Sequence, residues 1–198
     1  MRPLPRAAAA LLLAGASCST PAARSFDSGQ SASVMLGLRH FEDGAAWAPN
    51  EDLGQAGVDY LTGPADLPWR WDFGLFYAGD RAERLVGGEP QWLITRQVEL
   101  RVGGLALLPT FTRGFHPYLG AGTALAWTDS DVRQGAVVLR DEDFGMGGYA
   151  RAGFWIDLRA PEFLGLDLTV SDGPDADLGG AERPVRAWCL SLVLGAKF

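Results

Sequence analysis

Apolar and polar positions alternate with a period of two along most of the chain after residue 30. In residues 69–77, the odd-numbered positions are large and aromatic or apolar, while the even-numbered positions are mostly charged or small. This period with one apolar face is typical of a β-strand. The same pattern predicts eight strands in all, over residues 31–40, 55–62, 69–79, 92–107, 117–127, 144–158, 164–171 and 187–198.

The connections between these strands alternate in length. Long, polar and acidic connections alternate with shorter ones, the long ones near residues 42–53, 80–91, 128–143 and 173–185 and the short ones near 63–68, 108–116 and 159–161. Bacterial outer-membrane barrels have an even number of strands, long external loops and short periplasmic turns. We therefore expect an all-β fold, an eight-stranded antiparallel up-and-down transmembrane β-barrel with both termini in the periplasm.

The polar faces of the predicted strands carry charges of both signs. In a soluble barrel these side chains would face water, whereas in a small membrane barrel they face a closed lumen and have to form ion pairs. Eight strands enclose a lumen just wide enough to be filled by side chains. We expect a lumen charge network formed by Arg39, Asp59, Arg70, Asp72, Glu99, Arg101, Arg151, Asp157 and Asp167.

Aromatic residues fall near the ends of the predicted strands. Amphipathic rings favour the two surfaces of a membrane, so we expect one aromatic girdle at each surface. The girdle at the external surface would contain Tyr77, Trp92, Trp127 and Trp188. The girdle at the periplasmic surface would contain Tyr60, Trp69, Phe163 and Phe198.

The N-terminus has the composition of a secretory signal peptide. Arg2 and Arg6 precede a short apolar segment at residues 7–16, which is too short to cross a bilayer. Cleavage after Ala16 is one interpretation, and lipidation of Cys18 after a lipoprotein-type signal is the other. We expect residues 1–17 to be a signal peptide, residues 18–30 to be a flexible lead-in, and residues 31–198 to form the barrel domain.

Composition excludes several classes of function. The 198-residue chain has a formal net charge of −7 and no clustered basic face, so we expect no nucleic-acid partner. Its two cysteines, Cys18 and Cys189, cannot form a disulfide framework, and no spacing indicates a metal or cofactor site. Acyl transfer needs a histidine with a serine and a carboxylate. Neither His40 nor His116 is joined to a serine by a motif, so we expect no catalytic residues.

Three stretches resemble the small outer-membrane β-barrel proteins of the OmpA/OmpX-like superfamily. They are the final alternating strand from Trp188 to Phe198, the segment Pro117–Gly122, and Gly147-Gly148-Tyr149. The resemblance covers about residues 31–198. It implies a monomer that contacts outer-membrane lipids, with Phe198 as the C-terminal signal read by the barrel-assembly machinery.

Architecture restricts function only in part, because one fold serves many functions. The pattern favours a non-enzymatic barrel with a side-chain-filled lumen and a structural, envelope or surface-interaction role. One alternative is a lipid-modifying enzyme of the lipid A deacylase or acyltransferase kind, which would depend on His40. Another is a soluble or lipid-anchored periplasmic barrel that binds a small apolar ligand, with its apolar faces turned inward.

Overall fold

The computed structural model describes residues 29–198 except 111, 136, 174–175 and 179–180. Eight long strands form a closed barrel, and a short helix and a small hairpin lie in the connections. The elements are β1 (Ser31–Phe41), α1 (Gly44–Trp47), β2 (Asp52–Thr62), β3 (Trp69–Val86), β4 (Glu89–Leu107), β5 (Phe115–Gln134), β6 (Val137–Asp157), β7 (Glu162–Asp172), β8 (Ala176–Leu178), β9 (Ala181–Arg183) and β10 (Ala187–Lys197). Within the described residues, no helix is long and apolar enough to span a membrane.

The barrel has an up-and-down topology. From β1 to β7 each strand pairs antiparallel with the next one in the chain, β7 pairs with β10, and β10 pairs with β1 to close the cylinder. The hairpin of β8 and β9 is a separate two-stranded sheet inserted before β10. Ser31 pairs with Lys197, so the barrel begins and ends at the same rim. We call this end, which also carries the short connections, the terminal rim, and the opposite end the hairpin rim.

Side chains that point out of the barrel are apolar and exposed, whereas those that point into the lumen are buried. On β10, Leu192 is 50% exposed, while its neighbours Ser191 and Val193 are 2% and 4% exposed. On β3, Trp71 is 51% exposed beside Asp72, which is fully buried. A water-soluble barrel has the opposite arrangement, because burial of apolar side chains drives its folding. The alternative of a soluble barrel with apolar faces turned inward is therefore wrong.

The exposed apolar side chains form a band around the barrel. On β3 the band runs from Trp69 to Tyr77, and the next large outward side chain is Arg81. A strand that crosses a bilayer at a tilt of about 45° needs about 9–11 residues, which matches the segment Trp69–Tyr77. The height of the band and its apolar character are those of a transmembrane barrel.

Most residues of the two predicted aromatic girdles border this band, but Phe163 and Trp92 do not. Tyr77 and Trp188 lie at its hairpin-rim edge, and Trp69 lies at its terminal-rim edge. Phe163, a member of the predicted periplasmic girdle, instead points into the lumen and is 3% exposed, because it shares the face of Gly165. Trp92 lies well beyond the band, on the outer part of β4, where its ring packs 4.0 Å from the guanidinium of Arg81.

Two of the predicted long loops are strands. The segments 80–91 and 128–143 continue the β3–β4 and β5–β6 pairs beyond the band as long hairpins. The β3–β4 hairpin turns at Gly87 and Gly88, whose φ angles of 64° and 87° suit a tight turn between twisted strands. Sequence periodicity missed these extensions because much of each hairpin is exposed, so its residues are mostly polar on both faces.

Candidate functional site: the ion-paired lumen and its lid

Arg151 and three aspartates form an ionic cluster in the part of the lumen nearer the terminal rim. The Nη1 atom of Arg151 lies 2.9 Å from Asp59 Oδ2 and 3.1 Å from both carboxylate oxygens of Asp72. Its Nε atom donates to Asp167 at 2.8 Å. All four side chains are buried, and together they connect β6 and β7 to β2 and β3 across the lumen. We call these residues the aspartate cluster.

Three hydroxyl groups donate to the same carboxylates. Tyr149 donates to Asp72 at 2.8 Å, Tyr118 donates to Asp167 at 2.7 Å, and Thr169 donates to the other oxygen of Asp167 at 2.6 Å. Buried carboxylates require such donors, because a charge without partners in a dry interior is strongly destabilising. The pattern of charged residues does not mark these hydroxyl residues, although Tyr118 and Tyr149 share the lumen face of their strands with predicted members of the network.

Two glycines leave room for the tyrosines. A Cβ atom on Gly153 would lie 2.5 Å from the hydroxyl oxygen of Tyr118. A Cβ atom on Gly122 would lie 2.8 Å from the ring of Tyr149. Small residues on the lumen face of β5 and β6 therefore allow large aromatic and ionic side chains to fill the same cross-section.

Glu99 and two arginines form a second ionic cluster, nearer the hairpin rim. Arg39 Nη1 lies 2.5 Å from one carboxylate oxygen of Glu99, and Arg101 Nε donates to the other oxygen. Arg39 also donates to Ser171 at 2.9 Å. The guanidinium of Arg101 stacks over the ring of Phe76, with 4.1 Å from its Cζ atom to the ring centroid. We call Glu99, Arg39 and Arg101 the glutamate cluster.

The two clusters are continuous through Thr169, which donates to Asp167 and accepts a 3.4 Å hydrogen bond from Arg101. Three buried arginines and four buried carboxylates make up the two clusters. They are Arg39, Arg101 and Arg151 with Asp59, Asp72, Glu99 and Asp167. Each of the four carboxylates is paired with at least one of these arginines.

Two of the nine predicted network residues have other roles. Arg70 is buried, but it donates to the carbonyl oxygens of Pro64 and Leu67 and so holds the β2–β3 turn. Asp157 lies at the terminal rim, where its side chain is 37% exposed and pairs with Lys197 at 2.7 Å and His116 at 3.0 Å. The expectation that Asp157 belongs to the buried network is wrong, because β6 ends at this residue and its carboxylate reaches the rim.

Apolar side chains pack the lumen from the terminal rim to the level of the clusters. The packed residues are Met35, Leu61, Phe76, Leu105, Tyr118, Trp155, Phe163 and Val193. The ring of Trp155 lies among these residues, with its centroid 5.0 Å from that of Tyr118 and 5.5 Å from that of Phe163. The lumen is therefore closed at this end by aromatic packing.

A lid covers the lumen at the hairpin rim. Trp47 of α1 is fully buried and stacks on Phe41, with ring centroids 4.0 Å apart. Its indole nitrogen donates to the carbonyl oxygen of Pro184 at 2.7 Å, and Asn50 donates to the carbonyl oxygen of Leu93. The lid also contains Leu53, Ala78, Ala176, Val185 and Ala187.

Little space remains between the lid and the glutamate cluster. A small cavity there, lined in part by Arg39, Glu99, Thr128 and Ser171, has a volume of about 20 Å³. That volume accommodates about one water molecule. The geometry is that of a side-chain-filled lumen, with no passage for a large solute along the described part of the chain.

The two histidines lie apart from the lumen centre. His40 pairs with Asp52 at 2.8 Å on the outward face at the hairpin rim, beside the ring of Trp188. Within the described residues, no serine, threonine or cysteine hydrogen-bonds to His40. His116 belongs to the rim cluster with Asp157 and Lys197. The described residues contain no group of side chains arranged to hold a metal ion.

Three further parts of the sequence remain to be placed: the signal peptide with Cys18, Cys189, and Phe198. Cys18 and the signal peptide lie outside the described residues. Cys189 is a free, buried cysteine on the lumen face, where its sulfur lies 3.3 Å from Ser191 Oγ. Phe198 is 49% exposed at the terminal rim, and its backbone nitrogen donates to the carbonyl oxygen of Gln30.

Fold, apolar band and ion-paired lumen define the class: the chain has the architecture of the small eight-stranded outer-membrane β-barrels. Among solved structures, it is similar to the outer membrane protein OprG from Pseudomonas aeruginosa, with a TM-score of 0.55 and 15% identity over 86% of this chain and 96% of that one. A major outer membrane protein from Thermus thermophilus has a TM-score of 0.53 and 15% identity, over 85% and 99%. Neisserial surface protein A has a TM-score of 0.52 and 12% identity, over 85% and 96%.

Sequence comparison does not extend this likeness. No protein-family model matches the chain. No curated protein matches it either. At such low identities, the solved structures show a shared fold and leave function to be argued from this chain's own residues.

Proposed function

We propose that this chain is a non-enzymatic integral protein of a bacterial outer membrane, with a structural, envelope or surface-interaction role. The observation that carries the proposal is the inverted barrel: apolar side chains face outward over the height of a bilayer, and ionic side chains are paired inside. A closed barrel satisfies all of its backbone hydrogen bonds within the sheet, as a membrane requires. Its partners are the surrounding lipids, and we propose that it is monomeric.

We propose that the terminal rim faces the periplasm and the hairpin rim faces the outside. The short connections lie at the terminal rim, and the long hairpins and the lid lie at the hairpin rim. Short periplasmic turns and long external segments are the usual arrangement in bacterial barrels. Protease added to whole cells should then cut the β3–β4 or β5–β6 hairpin and spare the connection at 63–68.

We also propose how the chain is exported and how the barrel is assembled. Residues 1–17 would be removed as a signal peptide, residues 18–30 would form a lead-in to the barrel, and Cys18 is the candidate lipidation site. Phe198, at the end of the last strand, would be read by the barrel-assembly machinery. Mass spectrometry of the mature N-terminus distinguishes cleavage after Ala16 from a lipidated Cys18, and deletion of Phe198 should lower the amount of assembled barrel.

Fractionation and electrical recording test the proposal together. The protein should require detergent for extraction, and its gel mobility in SDS should change on boiling, since the intact barrel survives without heating. In planar bilayers it should show no large, stable conductance, because the lumen is filled. Extraction by buffer alone would contradict membrane insertion, and a persistent wide-pore conductance would contradict the filled lumen.

A second candidate function is lipid modification at the outward face. The observation that favours it is the pair of His40 and Asp52 beside Trp188, at the edge of the apolar band where a lipid headgroup would lie. Purified protein should be assayed for turnover of lipid A and of phospholipid, with His40→Ala as the control. Turnover that His40→Ala abolishes would establish the enzyme and overturn the non-enzymatic proposal.

A further inference from the structure

The aspartate cluster holds one guanidinium among three carboxylates. Arg151 carries one positive charge, while Asp59, Asp72 and Asp167 carry three negative charges when all of them are ionised. The glutamate cluster has the opposite imbalance, with two arginines and one carboxylate. Together, the two clusters have one negative charge in excess. An unbalanced charge is costly in a closed lumen, so one further positive charge at the aspartate cluster would be stabilising.

Asp59 and Asp72 share a donor and lie against each other. They project into the lumen from the neighbouring strands β2 and β3, where Asp59 pairs with Gly74, two residues beyond Asp72. Arg151 Nη1 lies 2.9 Å from Asp59 Oδ2 and 3.1 Å from Asp72 Oδ2. The two carboxyl groups also lie within hydrogen-bonding distance of each other. Two ionised carboxylates in such contact repel, and a proton on one of them turns the contact into a hydrogen bond.

The other partners of the pair indicate which carboxyl group carries that proton. Asp72 accepts hydrogen bonds from both Arg151 and Tyr149. Asp59 accepts from Arg151 through Oδ2, but its Oδ1 atom is buried and has no hydrogen-bond partner among the described residues. Hydrogen bonds donated to a carboxylate favour its ionised form. Asp59, which receives fewer of them, therefore holds a proton more readily than Asp72.

Arg151 is the cation that pairs with Asp59, and no other cation in the described part of the chain does so. Arg101 on β4 lies level with Asp59 in the register, but it donates to Glu99. Arg70 on β3 donates to carbonyl oxygens of the β2–β3 turn. The other titratable side chains bonded into the cluster are Asp167 on β7, Tyr118 on β5 and Tyr149 on β6. None of these three supplies a positive charge.

We propose that Asp59 binds a proton in the folded barrel and donates it to Asp72, so that Arg151 holds a carboxyl–carboxylate pair. The proton comes from solution when the chain folds and returns to solution on unfolding, because an aspartate in water ionises near pH 4. With this proton bound, the formal charges of the two clusters cancel. The proton site does not depend on the proposed role of the barrel or on which rim faces the outside.

Uptake of a proton makes the stability of the barrel depend on pH. Above about pH 5, the folded state binds one proton more than the unfolded state, so the free energy of unfolding falls as the pH rises. One proton changes the equilibrium constant for unfolding by about tenfold per pH unit. His40 and His116 also titrate near this range, but they lie at the rims and stay the same when Asp59 is changed.

Infrared spectroscopy of the folded protein, in a detergent without ester groups, detects the proton directly. A protonated carboxyl group has a carbonyl stretch that a carboxylate lacks, and at about pH 6 exposed carboxyl groups are ionised. We expect this band in the wild type. Asp59→Asn should remove it, because the amide occupies the place of the protonated group. The matched control Asp66→Asn changes an exposed aspartate of the β2–β3 turn and should leave the band unchanged.

Urea titrations at about pH 5 and pH 6 measure the uptake of the proton on folding. Between these two pH values, the equilibrium constant for unfolding should rise about tenfold more in the wild type than in Asp59→Asn. Asp66→Asn should behave as the wild type does. Gel mobility with and without boiling shows whether each sample is folded at the start.

Three results would overturn the inference. Absence of the carbonyl band from the folded wild type would mean that Asp59 is ionised, and this result needs no variant to fold. Persistence of the band in Asp59→Asn would place the proton on another carboxyl group. Equal dependence on pH in the wild type and Asp59→Asn would contradict proton uptake on folding.

Discussion

Arg151 holds three carboxylates in the middle of the barrel, and its neighbours allow a quantitative prediction. Replacement by methionine, Arg151→Met, leaves Asp59, Asp72 and Asp167 buried without a cation. Breaking a buried ion pair by removing one partner costs about 3–5 kcal/mol. We expect a loss of that size in the free energy of unfolding, measured by urea titration in lipid or detergent with gel mobility as the signal.

A surface arginine provides the control for this change. Arg113→Met alters an exposed side chain near the terminal rim and should leave the unfolding midpoint unchanged. If Arg151→Met unfolds at the same urea concentration as the wild type, the aspartate cluster contributes little to stability.

Close packing of the lumen predicts a difference between two glycines. Gly153→Ala would place a methyl group against the carbonyl oxygen of Leu166 on β7 and 2.5 Å from the hydroxyl of Tyr118, which would move away from Asp167. Gly104→Ala points outward, and the nearest atom would be 3.9 Å away. We expect Gly153→Ala to cost about 1–3 kcal/mol and Gly104→Ala to be neutral in the same unfolding experiment. Similar costs for both variants would contradict a tightly filled lumen.

Alternation along the strands was sufficient to predict which residues face the lumen, but not their partners. Asp167 and Asp157 both share a face with lumen residues, yet one is buried against Arg151 and the other pairs with Lys197 at the rim. Period two gives the face of a residue and says nothing of its height in the cylinder. Height depends on strand ends and tilt, which the sequence specifies poorly.

The lid is an element that the hydropathy pattern could not predict. Residues 42–53 contain no regular alternation of apolar and polar positions, so nothing in the pattern marks Trp47 as buried. Its burial results from the way α1 folds back onto Phe41 and Pro184. The extensions of the β3–β4 and β5–β6 hairpins were not predicted for a related reason. Backbone hydrogen bonds can pair two strands whose side chains show no alternation of apolar and polar residues.

Removal of the lid tryptophan should open the lumen at the hairpin rim. Cys189 lies on the lumen face beneath the lid and is 3% exposed. Truncation of a buried tryptophan typically costs about 3–5 kcal/mol, here in local packing. We expect Trp47→Ala to increase the rate at which a hydrophilic thiol reagent modifies Cys189 by about tenfold or more, measured by mass spectrometry of the peptide.

An outward tryptophan gives the matched comparison for the lid. Trp92→Ala removes a ring that packs on Arg81 outside the barrel, so the labelling rate of Cys189 should stay at the wild-type value. A rate unaffected by Trp47→Ala would mean that another part of the barrel limits access to the lumen.

The sequence predicts the architecture of the whole molecule more completely than it predicts the individual side-chain contacts. Eight alternating strands joined by alternating long and short connections predicted a closed up-and-down barrel, which the structure has. An eight-stranded cylinder must be filled by its own side chains, and this constraint accounts for both the buried ion pairs and the glycines of the lumen face. Function is less determined, because the same cylinder serves proteins with different external segments.

The proposed membrane location depends on one orientation of the strands, in which the apolar face contacts lipid while the ionic face is sealed inside. A nitroxide scan of β10 in lipid bilayers tests it most directly, with single cysteines at positions 190–194 in a Cys18→Ser/Cys189→Ser background. At Leu190, Leu192 and Leu194 the label should collide often with oxygen, which dissolves in acyl chains, and seldom with a water-soluble nickel chelate. At Ser191 and Val193 it should be protected from both. Strong collision of the nickel chelate with the leucine positions would contradict the account.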